Sequence, residues 1–298
     1  MDQAVILFDY GISVFGQKVR WLLGAAGVPF RRCLQPPILP RPILEGLGIT
    51  YRRIPVLAIG KDIYCDSSAI VNIVQKLFPQ VPTTPADKAY ELFGTSICWL
   101  ATRLIPSAML TSEFLQDRQT IFPILLDPDY SSLRSSALAE LRAKMTIVEK
   151  EFLKSSELWI NGPELSLADI HVFWSIRWIL FTLGVSNEPG FGRNNYPKIY
   201  KCLDQVVIPE VDEMSGEAAT DVILHAQFLP RDNEDQNDQG MMDIPLGATV
   251  SIESTDTTPG AHPQVGRLVA AEVDEVAIEL ENKIKLHFPR RGYIVRSA

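Results

Sequence analysis

Residues 53–57 read Arg-Ile-Pro-Val-Leu, a β-branched, apolar run with a proline inside it. Proline has no N–H to give to a strand ladder, so a central strand does not tolerate it there. The run must be the entry to a strand, and a cis Ile54–Pro55 bond is the simplest geometry that allows this. That geometry turns the Ile54 N–H and C=O outward, where a short extended peptide can pair with them. Asp66-Ser67-Ser68-Ala69-Ile70 follows shortly afterwards, an acidic and hydroxylic start to an apolar segment. Such a start is a helix N-terminus, whose unpaired N–H groups attract carboxylates. A peptide-pairing edge beside a carboxylate-binding helix end points to a small anionic peptide as ligand.

The flanking sequence supplies a scaffold for that corner. Residues 4–8 form a short apolar strand, Phe15 to Gly24 a helix, and Pro29–Leu34 a second strand. Ile54–Ile59 and Ile63–Cys65 are a hairpin across Gly60-Lys61-Asp62, and Ser68 to Phe78 is a helix stopped by Pro79. The order βαβ then ββα is that of a thioredoxin-like domain, assigned to residues 1–80. Gln80 to Pro85 reads as a linker. Residues 86–215 turn helical: Ala86–Leu104 with Leu92, Trp99 and Leu100 on its apolar side, Ser131–Lys154, the almost wholly apolar Leu167–Leu183, and Ile199–Val207. Residues 217–298 become strand-like again, over Val222–Leu229, Ala248–Ile252, Val265–Val273, Val276–Leu280, Ile284–Phe288 and Tyr293–Val295. Arg231 to Gly240 reads as an acidic loop. The fold class is α+β: a thioredoxin-like domain, an all-helical domain, and a small antiparallel β unit, either barrel-like or an arm packed on the helices.

Net charge is −8, spread as +4 over residues 1–82, −5 over 83–215 and −7 over 216–298. A basic first segment suits a small anion. The acidic remainder argues against nucleic acid, which needs a clustered basic face. No apolar run approaches a membrane span, and the N-terminus lacks a signal-peptide pattern. The four cysteines (Cys33, Cys65, Cys98, Cys202) form no Cys-x-x-Cys and read as reduced thiols, so a cytoplasmic protein is expected.

Ser13 lies between the first strand and the first helix. A hydroxyl there can donate to a thiolate and lower a thiol's pKa, or simply cap the helix. Tyr10 is a rival hydroxyl. Ser166-Leu167-Ala168-Asp169 precedes the apolar helix as a capping-box variant and is a folding device. Gly190-Phe191-Gly192 lacks a third glycine, so it is no dinucleotide loop. The four histidines have no metal-ligand spacing, no metal is expected, and His171 is read as a core residue.

Ser13-Val14-Phe15 with Gln17-Lys18-Val19-Arg20, Ile54-Pro55-Val56-Leu57, Asp66-Ser67-Ser68-Ala69-Ile70, and Gly162 with Leu165-Ser166-Leu167-Ala168-Asp169 together resemble the cytosolic glutathione transferase superfamily. The resemblance covers roughly residues 4–210. It implies Ser13 as the residue activating the glutathione thiol, as in serine-type classes. It implies Ile54 pairing with the cysteinyl part ahead of Pro55, Asp66 and Ser67 holding the γ-glutamyl ammonium and carboxylate, and Arg53 contacting the peptide. An apolar electrophilic acceptor would lie near Ile12, Trp99 and Arg103. A homodimer is implied as well. Val14 stands where the family usually has proline, and Asp66 where it usually has Glu or Gln. The β-rich extension looks like that of some fungal glutathione-transferase-like proteins, several of which serve specialised metabolism.

Three functions compete. The first is a glutathione-dependent enzyme that conjugates, isomerises or eliminates on an electrophile. The second keeps the fold without glutathione and dehydrates, isomerises or cyclises a pathway intermediate, with Arg103 or Asp66 as an acid or electrostatic group. The third is a non-catalytic scaffold.

Overall fold

A computed structural model describes residues 3–230 and 243–298. The acidic loop expected over Arg231 to Gly240 lies outside the described residues.

The chain forms two compact units: residues 1–19, 28–77 and 210–298 make one, and residues 20–27 and 78–209 the other. In the first, β1 (Val5–Asp9) is buried along its whole length, and β2 (Arg31–Leu34) lies parallel to it. Parallel neighbours need a crossover, which α1 (Val14–Ala25) provides. A short helix, α2 (Pro42–Gly46), starts on a proline at its first turn, where the missing N–H costs nothing. β3 (Val56–Ile59) and β4 (Asp62–Cys65) form the expected hairpin, and α3 (Ser67–Leu77) follows.

The C-terminal strands are β5 (Thr249–Ser254), β6 (Gln264–Ala271), β7 (Glu275–Glu279), β8 (Lys285–Pro289) and β9 (Tyr293–Ser297). They are antiparallel to one another, as expected, but do not close into a barrel. β8 runs parallel to β4, pairing Asp62, Ile63 and Tyr64 with Lys285, Leu286 and His287. The result is one open nine-stranded sheet in the order β2-β1-β3-β4-β8-β7-β6-β5-β9. Ile6, Phe8, Val56 and Ile63 share a single buried cluster with Val250, Ile252, Ile278, Leu286 and Phe288. The extension therefore packs as part of the thioredoxin-like unit and not as an arm on the helices. The reason is the β4 edge, whose unpaired backbone groups a further strand satisfies.

Val222–Leu229 is a second correction. Residues Gly216–His225 are helical, with Ser215 accepting from the Ala218 N–H at 3.2 Å. Ala219 and Ile223, four apart, are the buried positions. The serine cap and two alanines outweigh the β-branched Val222 and Ile223.

The helical unit contains α4 (Asp87–Leu100), α5 (Ser112–Arg118), α6 (Leu133–Ile147), α7 (Leu167–Arg177) and α8 (Pro197–Leu203); Gly216–His225 of the first unit is then α9. Both α6 and α7 continue into a π-turn, at Val148–Phe152 and Trp178–Thr182, which accounts for the longer spans expected from sequence. α7 is buried from Leu167 to Ile176, including His171. α4 crosses it at Gly94, where an added Cβ would sit 1.7 Å from the His171 carbonyl oxygen. The buried side of α4 is Gly94, Ile97 and Leu100, while Leu92, expected there, is 55% exposed.

Candidate functional site

The corner singled out from sequence is assembled in the first unit. The Ile54–Pro55 bond is cis. β3 enters its ladder at Val56, which registers with Cys65 and Phe8, so the Ile54 backbone lies just outside the paired region. Asp66 connects β4 to α3 with φ +83°, a left-handed conformation that costs a non-glycine residue energy. Its Oδ1 accepts from the Ser68 N–H at 2.8 Å, tying the carboxylate to the helix start. Ser67 is buried in the first turn of α3.

The rest of this corner comes from the far end of the chain. The Tyr293 hydroxyl donates to Asp66 Oδ2 at 2.9 Å and lies 3.0 Å from the Tyr51 hydroxyl. Burial, then the Asp66 charge, pushes both phenols well above their usual range, so they stay protonated donors. Arg53 meets Asp256 in a bidentate pair, Nη1 to Oδ2 at 3.1 Å and Nη2 to Oδ1 at 2.5 Å. Arg52 is buried beside it. Burial, and then the positive charges of Arg52 and Arg53, lowers His262 below the ordinary imidazole value. The buried Gln264 side chain accepts from the Thr50 N–H at 2.7 Å and the Tyr51 N–H at 3.2 Å, and donates to the Gly48 carbonyl at 3.2 Å. The β5–β6 hairpin is thus stitched to the segment that leads into Pro55.

Ser13 is buried at 3% exposure, and its Oγ accepts from the Gly16 N–H at 3.1 Å. It caps α1 as an acceptor, and a serine hydroxyl can donate its proton as well. Beneath it, the wholly buried Asp9 pairs with Arg32 at 2.7 Å. Tyr10 is partly buried, and its carbonyl accepts from the Ser13 N–H at 3.0 Å. Burial raises the Cys33 thiol to about 11 and the Cys65 thiol well above its usual value, so neither is a ready thiolate.

Ile12 is 53% exposed in the first unit. Trp99 and Arg103 belong to the second. There Trp99 packs edge-on against Phe122 with centroids 5.4 Å apart, and Arg103 pairs with Glu140 at 2.5 Å. Sequence reasoning missed Tyr51, Tyr293, Asp256 and His262. Tyr293 stands 227 residues from Asp66, and Asp256 203 from Arg53, so no local pattern marks either.

The Ser166 assignment is realised within the second unit. Asp169 Oδ2 accepts from the Ser166 N–H at 2.8 Å and the Ser166 hydroxyl at 2.6 Å, while Oδ1 accepts from the Ile160 N–H at 2.8 Å.

Residues 7–82 match the family model of the glutathione S-transferase N-terminal domain, and residues 100–207 match a domain of unknown function, DUF7962. No curated protein matches the chain. Among solved structures, a GST-like protein from Pseudomonas syringae is 23% identical, with a TM-score of 0.69 and coverage of 100% of both chains. Its likeness therefore includes the C-terminal strands. A glutathione S-transferase from Methylobacillus flagellatus KT, solved with glutathione bound, is 17% identical with a TM-score of 0.50, covering 67% of this chain and 93% of its own. Residues 7–82 are thus matched as a glutathione S-transferase N-terminal domain, and the whole chain shares the fold of that GST-like protein.

Proposed function

We propose that the chain is a glutathione-transferase-like enzyme whose peptide site is the corner formed by Arg53, Ile54, Pro55, Asp66 and Ser67. The observation that carries this reading is the turn at Asp66. A strained φ of +83° holds its carboxylate at the start of α3, beside an Ile54 backbone that lies outside the sheet ladder. Strain of this kind persists where surrounding structure enforces it, often at ligand sites. Glutathione would pair its cysteinyl backbone with Ile54, its ammonium with Asp66, and its γ-glutamyl carboxylate with Ser67 and the α3 N–H groups. The bound thiol would then lie toward the α1 start, where Ser13 donates to the thiolate and the helix dipole favours the anion. Catalysis would come from a lowered thiol pKa and from orientation toward an apolar electrophile, by conjugation or by glutathione-assisted isomerisation or elimination.

The test is turnover of an electrophilic substrate panel by Ser13→Ala. A drop of about 10²-fold or more in glutathione-dependent kcat is expected. Unchanged turnover removes Ser13 as activator and leaves Tyr10 as the candidate.

A second reading is favoured by one observation: Arg53 and Asp66 already have partners in Asp256 and Tyr293. It holds that the fold catalyses a dehydration, isomerisation or cyclisation without glutathione. Activity on a pathway intermediate that persists in glutathione-free enzyme supports it, and a strict glutathione requirement excludes it.

A further inference from the structure

The β5–β6 hairpin places a carboxylate where an anionic ligand would bind. Asp256 grips Arg53 through both guanidinium nitrogens, the geometry by which arginine recognises a peptide carboxylate. The Ser254 hydroxyl donates to the same Asp256 oxygen that meets Arg53 Nη2, which steadies the carboxylate. The hairpin itself cannot swing away as a lid. Its base is stitched by Gln264 to Gly48, Thr50 and Tyr51, and Val250, Ile252 and Leu268 lie in the shared core. The Asp256 side chain is different. It sits on the turn after β5 and is 38% exposed, while the Arg53 side chain is 21% exposed. The contact can therefore open by side-chain rotation while the fold stays intact.

We propose that Asp256 is an internal competitor for Arg53, a specificity-determining residue that an anionic γ-glutamyl peptide must displace to bind. The inference rests on the glutathione reading of the site. No covalent step is involved: one carboxylate replaces another on the guanidinium, and Asp256 turns out to water. With Asp256 in place, a ligand carboxylate gains only the difference between two similar ion pairs. Affinity for the free tripeptide is held down, and the selection passes to whatever else the ligand carries on its thiol.

Calorimetric titration of glutathione into the full chain tests this, with wild type, Asp256→Ala, Asp256→Asn, Arg53→Ala and the Arg53→Ala/Asp256→Ala double variant. Asp256→Ala is expected to bind roughly tenfold tighter than wild type, and Asp256→Asn to shift the same way by less. The gain should vanish on the Arg53→Ala background, where the single and double variants bind alike. Thermal melting shows that each variant is folded. If folded Asp256→Ala binds glutathione no tighter than wild type, the competitor role is overturned while the glutathione site stands. If neither wild type nor Asp256→Ala binds, the site reading is overturned and the competitor role with it.

Discussion

Two helix starts in this molecule have the same ingredients, an acidic residue and a serine, and use them differently. At α7, Ser166 and Asp169 are three residues apart and complete each other, with the Ile160 N–H donating to Asp169 and the Asn161 amide to the Ser166 hydroxyl. Asp169 is wholly buried, and all of this is local. At α3, Asp66 takes the Ser68 N–H locally, but its second oxygen goes to Tyr293, 227 residues away, and its backbone is held at φ +83°. The first arrangement is closed and complete, as a folding device should be. The second is strained and lies beside backbone outside the ladder, which suits the peptide site proposed for it. A helix start is a poor guide to function until its carboxylate's partners are known.

The largest effect should come from removing the closed cap. Asp169→Ala strands the buried Ser166 N–H and the half-buried Ile160 N–H and should cost about 3 kcal/mol in denaturant unfolding. A cost below ~1 kcal/mol would mean that the α7 start is no more essential than the α3 start, and the contrast fails.

The seam between β4 and β8 should give the next effect. His287 is buried between Asp62, 2.9 Å from Nε2, and Glu275, 2.7 Å from Nδ1, and stacks on Tyr64. Burial alone would lower this imidazole, but the two carboxylates outweigh it and raise it to about 8 from 6.5. The folded state thus holds the proton more tightly than the unfolded chain. The stabilisation is complete below pH 6.5 and is lost as pH rises to about 8, a difference of about 2 kcal/mol. Unfolding free energies measured across that window should fall in wild type and stay flat in His287→Gln. A flat wild-type profile would show that the seam carries no such charge.

Ser166→Ala should cost about 1 kcal/mol or somewhat more, since the Asp169 carboxylate keeps its two backbone donors. Tyr293→Phe should cost least, below ~1 kcal/mol, because a part-exposed corner can bring water to Asp66. Should Tyr293→Phe prove as costly as Asp169→Ala, the α3 corner would be a closed structural device too.

These cases also show what the sequence made legible. The cis Ile54–Pro55 bond, the Asp66-Ser67 helix start, the β3–β4 hairpin and the Ser166–Asp169 cap are all signalled by residues within a few positions of one another. The C-terminal strands were legible as strands, since their alternation is local too. Their partner was not, because nothing in Lys285–Pro289 names β4 as the edge it will extend. The helix at Gly216–His225 was hidden by Val222 and Ile223, whose β preference loses to the Ser215 cap. The Asp256–Arg53 and Tyr293–Asp66 contacts were invisible for the same reason as the seam: they exist only once one nine-stranded sheet has formed.

The central claim is that the Ile54–Asp66–Ser67 corner holds glutathione. Calorimetric titration of glutathione into the wild-type chain, repeated with Ser67→Ala, tests it most directly. Saturable binding at roughly millimolar strength or tighter is expected, weakened several-fold by Ser67→Ala. Absence of saturable binding by the folded wild-type protein, or equal binding by both, would contradict it.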